Sequence, residues 1–181
     1  MVSKSTISIL KDVYNFSESL KFNKVLMVGG VARDLYLNGK VLKNQDYSFS
    51  GDFDITCNSG GQTALLGLLY CVKNGYSFKF YKKNYLSMFL SIDKVDFSSG
   101  MQSELVKEYL NTTDKKNIEI YSRDFTINSL HLDYIREKFI DYTGRSFQDI
   151  KNKIITPNTT AEICLSDNPS RILRAISLSV T

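Results

Sequence analysis

Two strings hold the residue types that phosphate chemistry requires. Val28-Gly29-Gly30-Val31-Ala32-Arg33-Asp34 comes first, and Gly51-Asp52-Phe53-Asp54-Ile55-Thr56 follows. A glycine pair between a strand end and a helix start offers unpaired backbone N–H groups to an anion. Two carboxylates at i and i+2 of a strand share one face, because side chains alternate along it. A phosphate cradle beside a divalent-metal site meets the needs of phosphoryl or nucleotidyl transfer. There, positioning and charge neutralisation supply most of the catalysis. Alone, a Gly-Gly is ordinarily a turn and an Asp pair is ordinarily solvated; it is their order and spacing that point to chemistry.

A third string is Ser122-Arg123-Asp124-Phe125-Thr126-Ile127-Asn128-Ser129-Leu130. Arg123, Asp124 and Asn128 punctuate an otherwise apolar segment. It reads either as a helix start capped by Asp124 or as a cation, an acceptor and an amide set out for a sugar and a phosphate.

The elements that must position these residues follow from periodicity and turn chemistry. Residues 5–20 carry Ile7, Leu10 and Tyr14 at helical spacing. Residues 24–28 form a short apolar strand that ends at the glycine pair, and 31–37 a helix stopped near Asn38-Gly39. Residues 40–51 are polar and read as a loop. Residues 53–57 form a strand, and 63–73 a mostly apolar helix ended at Asn74-Gly75. Three aromatic-rich strands follow at 76–81, 85–92 and 94–97. Residues 98–117 lack a period and read as a mobile loop with some helix. Residues 139–142 form a strand, 143–145 a turn and 147–151 a helical turn. Pro157 marks a boundary, and the tail 161–181 is helical with a break near Asn168-Pro169. This order indicates an α/β sheet domain with a helical appendage.

Composition sets the bounds. The chain has 181 residues, 43% hydrophobic and 23% charged, which suits one packed domain. A net charge of +4 permits an anionic partner without requiring one. Cys57, Cys71 and Cys164 form no CxxC pair and His131 is the one histidine, which argues against a cysteine/histidine zinc site. Unclustered cysteines fit reduced thiols in a cytoplasm. The first ten residues lack an apolar signal core. The apolar stretch 64–72 is interrupted by Gly67 and too short to span a bilayer.

Gly-Gly-x-x-Arg-Asp, then Asp-x-Asp, then Arg-Asp-Phe-Thr-Ile-Asn, resembles the motif order of the class II tRNA CCA-adding enzyme and bacterial poly(A) polymerase family. That family is a branch of the DNA polymerase β-like nucleotidyltransferases. Phe139-Ile140-Asp141-Tyr142 with Gly144 and Gln148-Asp149-Ile150 resembles the family's turn after the sheet. Asn168-Pro169-Ser170-Arg171-Ile172-Leu173-Arg174 resembles the start of its neck helices. The resemblance implies an α/β (α+β) fold: a mixed five-stranded sheet flanked by helices. It implies a head over residues 1–157 and the start of a helical neck over 158–181. Asp52 and Asp54 look like ligands of two Mg2+ ions, and Asp96 is either a third carboxylate near them or a solvated strand-end Asp. Gly29, Gly30 and Arg33 resemble the triphosphate cradle. Arg123, Asp124 and Asn128 resemble the ribose and phosphate contacts, and Asn168 and Arg171 stand where the family reads the base. The implied partners are ATP or CTP and an RNA 3′ end, that of tRNA first, with no membrane.

The chain departs from the family's pattern in places. Ser98-Ser99-Gly100-Met101 offers no arginine after the acidic strand, and Ser122 stands where a first arginine is usual. In Asp167-Asn168-Pro169-Ser170-Arg171 an amide stands where the family has an aspartate; an amide both donates and accepts, which puts the choice of C and A over U and G in question. The family's body and tail domains lie beyond the matched residues. An acceptor other than RNA, such as a protein hydroxyl, or a non-catalytic nucleotide-binding role therefore stays open. Ile172, Ile176 and Val180, with Leu173, form one apolar stripe. It is either a contact for a second copy or a partner through residues 167–181, or a face covered by Ile163 and Leu165.

Overall fold

The computed structural model describes residues 6–22, 24–39, 52–82, 86–90, 95–98 and 102–180. The expected loop 40–51 and the segments 83–85, 91–94 and 99–101 lie outside the described residues. Among them, α1 (Thr6–Ser19), β1 (Leu26–Val28), α2 (Gly30–Leu37), β2 (Phe53–Thr56) and α3 (Gly60–Asn74) come first. Next are β3 (Phe78–Lys82), β4 (Leu86–Leu90), β5 (Val95–Ser98), α4 (Glu104–Leu110) and α5 (Lys115–Ser122). A 3-10 turn (Thr126–Asn128), β6 (Leu130–Asp133), β7 (Lys138–Asp141), α6 (Ser146–Asn152), α7 (Ala161–Asp167) and α8 (Arg171–Ser179) complete the order.

The strands form one mixed sheet in the order β3-β4-β5-β2-β1-β6-β7. Strands β2 and β5 run parallel, and the other neighbours run antiparallel. Strands β1 to β5 and β7 fall on runs expected as strands, and with β6 the sheet reaches seven strands rather than five. The hairpin is closed by an Asp133 carboxylate that accepts from Arg136 N–H at 3.0 Å, with Glu137 at φ 53. Strand β6 alternates apolar and polar residues (Leu130, His131, Leu132, Asp133), yet all four are buried, because the sheet is covered on both faces here.

Helices α1, α2 and α3 cover one core. Leu10, Val13 and Tyr14 of α1, Val31, Ala32 and Leu35 of α2 and Leu66 and Tyr70 of α3 belong to one buried cluster with Met27, Ile55 and Phe97. Burying a side chain such as Phe97, fully excluded from solvent, contributes about 2–3 kcal/mol. Helix α3 is set by local chemistry: Ser59 Oγ accepts from Gln62 N–H at its start, and Gly75 in the left-handed region closes it. Gly67 within it is a packing requirement, since a Cβ there would lie 2.8 Å from Phe97 Cγ.

A smaller core of Phe125, Ile127, Leu130 and Ile150, with Tyr36, Phe147, Ala175 and Leu178 against it, seats the 3-10 turn, α6 and α8. Residues 104–110 and 115–122 are helical, where 98–117 was expected as a loop with some helix. Their start signals are caps, which periodicity does not reveal: Ser103 Oγ accepts from Val106 N–H, and Asp114 from Lys116 and Asn117 N–H.

Candidate active site

The glycine turn is built by conformation. Gly29 leaves β1 with φ 84 and ψ −148, a region that is essentially glycine's alone. A Cβ on Gly29 would stand 3.0 Å from Asp54 Oδ2 and 4.0 Å from Arg123 Nη1. The backbone is thus drawn against a carboxylate of one motif and a guanidinium of another. Arg33 N–H donates to Gly29 C=O at 3.2 Å, opening the α2 ladder. The N–H groups of Gly30, Val31 and Ala32 precede that ladder and point out of the helix start.

Asp54 lies opposite Val28 on one side and Asp96 on the other. Asp96 is buried, and its Oδ1 has no hydrogen-bond partner among the described residues. Burial pushes its carboxyl up to about 8, and the charges of Asp54 and Asp52 add to the effect. Burial raises Asp54 too; Arg123 and Arg174 oppose it, while Asp52 and Asp124 reinforce it. Asp52, exposed, stands just before β2.

A buried, unpartnered carboxylate oxygen among mutually repelling carboxylates is a setting short of positive charge. The donor set is all oxygen, which suits Mg2+. Among the described residues no group of three or more His, Cys, Asp or Glu side chains is placed to hold a metal ion by itself. An ion here would complete its shell with water and phosphate, as Mg2+ commonly does.

The third motif lies against the first. Asn128 Oδ1 accepts from Arg33 Nη1 at 2.8 Å, and Asn128 Nδ2 donates to Asp124 Oδ1 and Oδ2 at 3.2 and 3.4 Å. Arg33 Nε also donates to Asp34 Oδ1 at 2.8 Å. Asp124 Oδ1 accepts from Phe125 N–H at 2.7 Å, and its Oδ2 pairs with Arg174 Nε at 3.0 Å. Asp124 is therefore not a helix cap: the 3-10 turn is preceded by Phe125 and has no side-chain cap. Arg123 Nε is buried without a partner among the described residues.

Asn168 and Arg171 stand at the junction of α7 and α8. Arg171 is 4% exposed. It donates to Cys164 C=O at 2.9 Å and Ser122 C=O at 2.7 Å, and pairs with Asp167 at 3.0 Å. Asp167 in turn accepts from Ser103 Oγ. Arg171 thus ties α7 and α8 to the end of α5. Asn168 is exposed, with its Oδ1 taken by Ser170 N–H and Oγ. Arg174, further along α8, is the arginine that reaches the sugar motif.

Two residues were not anticipated. Arg174 had no distinguishing signal beyond the neck string. Asn158 is 3% exposed and donates through Nδ2 to Ser129 Oγ at 2.6 Å and Arg123 C=O at 3.0 Å. Its own N–H donates to Asp124 C=O at 3.3 Å. The Pro157-Asn158 turn signal was visible in the sequence, but its long-range target was not.

A mixed sheet thus carries a glycine turn, carboxylates on adjoining strands and a polar turn set against them. Residues 25–156 match the Poly A polymerase head domain, and the chain belongs to that family. A curated relative, the A-adding tRNA nucleotidyltransferase of Geobacter sulfurreducens, is 26% identical over 96% of this chain. The chain spans 19% of that relative's length. The fold is shared with the Thermotoga maritima CCA-adding enzyme solved with tRNA, at a TM-score of 0.62 and 23% identity over 97% of this chain and 38% of that one. A CCA-adding enzyme solved with ATP aligns at a TM-score of 0.61 and 21% identity, over 98% of this chain and 38% of that one.

Proposed function

We propose that this chain is the catalytic head of an RNA 3′-end nucleotidyltransferase, acting by tRNA CCA addition or poly(A)-like addition. It transfers a nucleoside monophosphate from ATP or CTP to an RNA 3′-hydroxyl and releases pyrophosphate. The observation that carries this reading is the pairing of Asp54 with Asp96 beside the Gly29 turn. The family match and the relatives named for acting on tRNA support the substrate class.

Asp52 and Asp54 are the residues we assign to hold two Mg2+ ions, with the buried Asp96 beside them. Such ions, when bound, activate the attacking hydroxyl and neutralise charge on the α-phosphate and the leaving pyrophosphate. The backbone N–H groups after Gly29 and Gly30 cradle the triphosphate. Arg33 orients Asn128, which in turn steadies Asp124 as acceptor for a ribose hydroxyl. Arg123, close to Gly29, supplies positive charge at the phosphates. We assign Asn168 to the base side of the site, with Arg171 as the buried brace behind it. Residues 1–157 form the head and 158–181 begin a helical neck.

Ile172, Leu173 and Ile176 of α8 and Val180 just after it are exposed, and the inward face carries Arg171, Ala175 and Leu178. We take the outer stripe as a contact for a second copy or a partner. No described helix is long and apolar enough to cross a membrane. The three cysteines are buried and unpaired, in keeping with a reducing cytoplasm.

The test is incubation with labelled ATP or CTP, Mg2+ and mixed RNA that includes tRNA. Label at RNA 3′ ends is the expected result. Label on protein instead would redirect the reading to another acceptor, and no transfer at all would favour a binding role.

A further inference from the structure

Asp124 has its acceptors taken. Oδ1 receives Phe125 N–H and Asn128 Nδ2, while Oδ2 receives Asn128 Nδ2 and Arg174 Nε. A ribose hydroxyl can bond this carboxylate only at the expense of one of these donors. The backbone N–H and the 3%-exposed Asn128 are fixed by the fold. Arg174 is not: its side chain is 64% exposed, against 7% for Asp124. An ion pair whose cationic half stands mostly in water is weakly held. Helix α8 itself stays anchored, since Ala175 and Leu178 pack on the Phe125, Ile127, Leu130 and Ile150 cluster. Only the side chain of Arg174 need move, and its planar fork of donors fits phosphate as well as carboxylate.

We propose that Arg174 is a nucleotide-responsive latch. It pairs with Asp124 before nucleotide binds, and it passes to a phosphate of the incoming nucleoside triphosphate when a ribose hydroxyl takes its place on Asp124. The proposal rests on the reading of Asp124 as the ribose acceptor. It makes α8 the element that registers a complete nucleotide, because only a ligand with both sugar and phosphates displaces Arg174 and rewards it.

The latch predicts effects of opposite sign on two ligands. Equilibrium dialysis would measure labelled adenosine and labelled ATP with Mg2+ against wild type, Arg174→Ala and Arg174→Lys. Arg174→Ala should weaken ATP binding by on the order of tenfold, through loss of a charge-assisted contact. The same variant should bind adenosine more tightly, because Asp124 no longer has a competitor. Arg174→Lys should recover part of the ATP affinity. The gain for adenosine should vanish in an Asp124→Asn, Arg174→Ala double variant. Equal changes for both ligands, or none, would overturn the latch while leaving nucleotide binding intact. Wild-type protein that binds neither ligand would overturn the latch together with the nucleotide reading itself.

Discussion

Asp54 and Asp96 stand directly opposite each other on the parallel strands β2 and β5. Their side chains therefore leave the sheet on one face, from backbones roughly 4.8 Å apart. Nothing in hydrophobic packing calls for two carboxylates there, and the buried Oδ1 of Asp96 is unpartnered among the described residues. The arrangement costs stability in the free protein, and the proposed metal site would offset that cost.

Asp96→Asn should accordingly stabilise the protein without metal, by on the order of 1 kcal/mol, or about 2–4 °C in melting temperature. The same variant should lose most of the rise in melting temperature that Mg2+ with ATP gives the wild type. Thermal melts in EDTA and in Mg2+ with ATP check both. A solvated strand-end Asp would instead show no change in either.

Gly29→Ala tests the turn. Holding a non-glycine residue at φ 84, ψ −148 costs about 1–3 kcal/mol, and the added Cβ would press on Asp54 Oδ2. Denaturant unfolding should report that loss, and nucleotide affinity should fall with it. A variant as stable as the wild type would mean that the turn relaxes freely and cradles nothing.

The sugar motif and the glycine motif were both legible, because their residue types carry chemistry at short range. Their mutual contact through Arg33 and Asn128 was not legible, since the two residues are 95 positions apart. Asp96 was located, but its burial was not foreseeable from a string that reads equally as a strand end. Arg171 shows the limit of transferring a role by position. Its spacing matches a base-reading arginine, yet Asp167, Cys164 and Ser122 fold it inward. Some helix was expected within 98–117, but the bounds of α4 and α5 were not legible, because Ser103 and Asp114 start them by capping. Asn158 escaped because its partners lie on other elements.

Asp124→Ala should reduce the preference for ATP over dATP, since the lost acceptor leaves the 2′-hydroxyl unpaired at a cost of about 1–3 kcal/mol. Competition binding of the two nucleotides measures it. Equal losses for both would assign Asp124 to holding the 3-10 turn alone.

His131 gives a pH signature independent of the metal site. Burial first, and then the Arg123 charge, lower it from 6.5 to about 3, while its Nδ1 lies 2.8 Å from Ser129 C=O. The unfolded chain takes up the proton first, so stability is full above 6.5 and falls as pH drops toward 3. The slope from this group is about 1.4 kcal/mol per pH unit. His131→Asn keeps a donor and removes the titration, so stability measured from pH 7 to 4 should fall less steeply than in the wild type. Identical slopes would show that His131 is protonated in the folded protein.

Calorimetric titration of ATP with Mg2+ into wild type and Asp54→Ala tests the central claim most directly. The wild type should bind ATP in a Mg2+-dependent way. Asp54→Ala should keep its melting transition and lose at least tenfold in affinity, about what removing even an outer partner of a metal site costs. Equal Mg2+-dependent binding by the two proteins would contradict the assignment of Asp54, and with it the nucleotidyl-transfer site built around it.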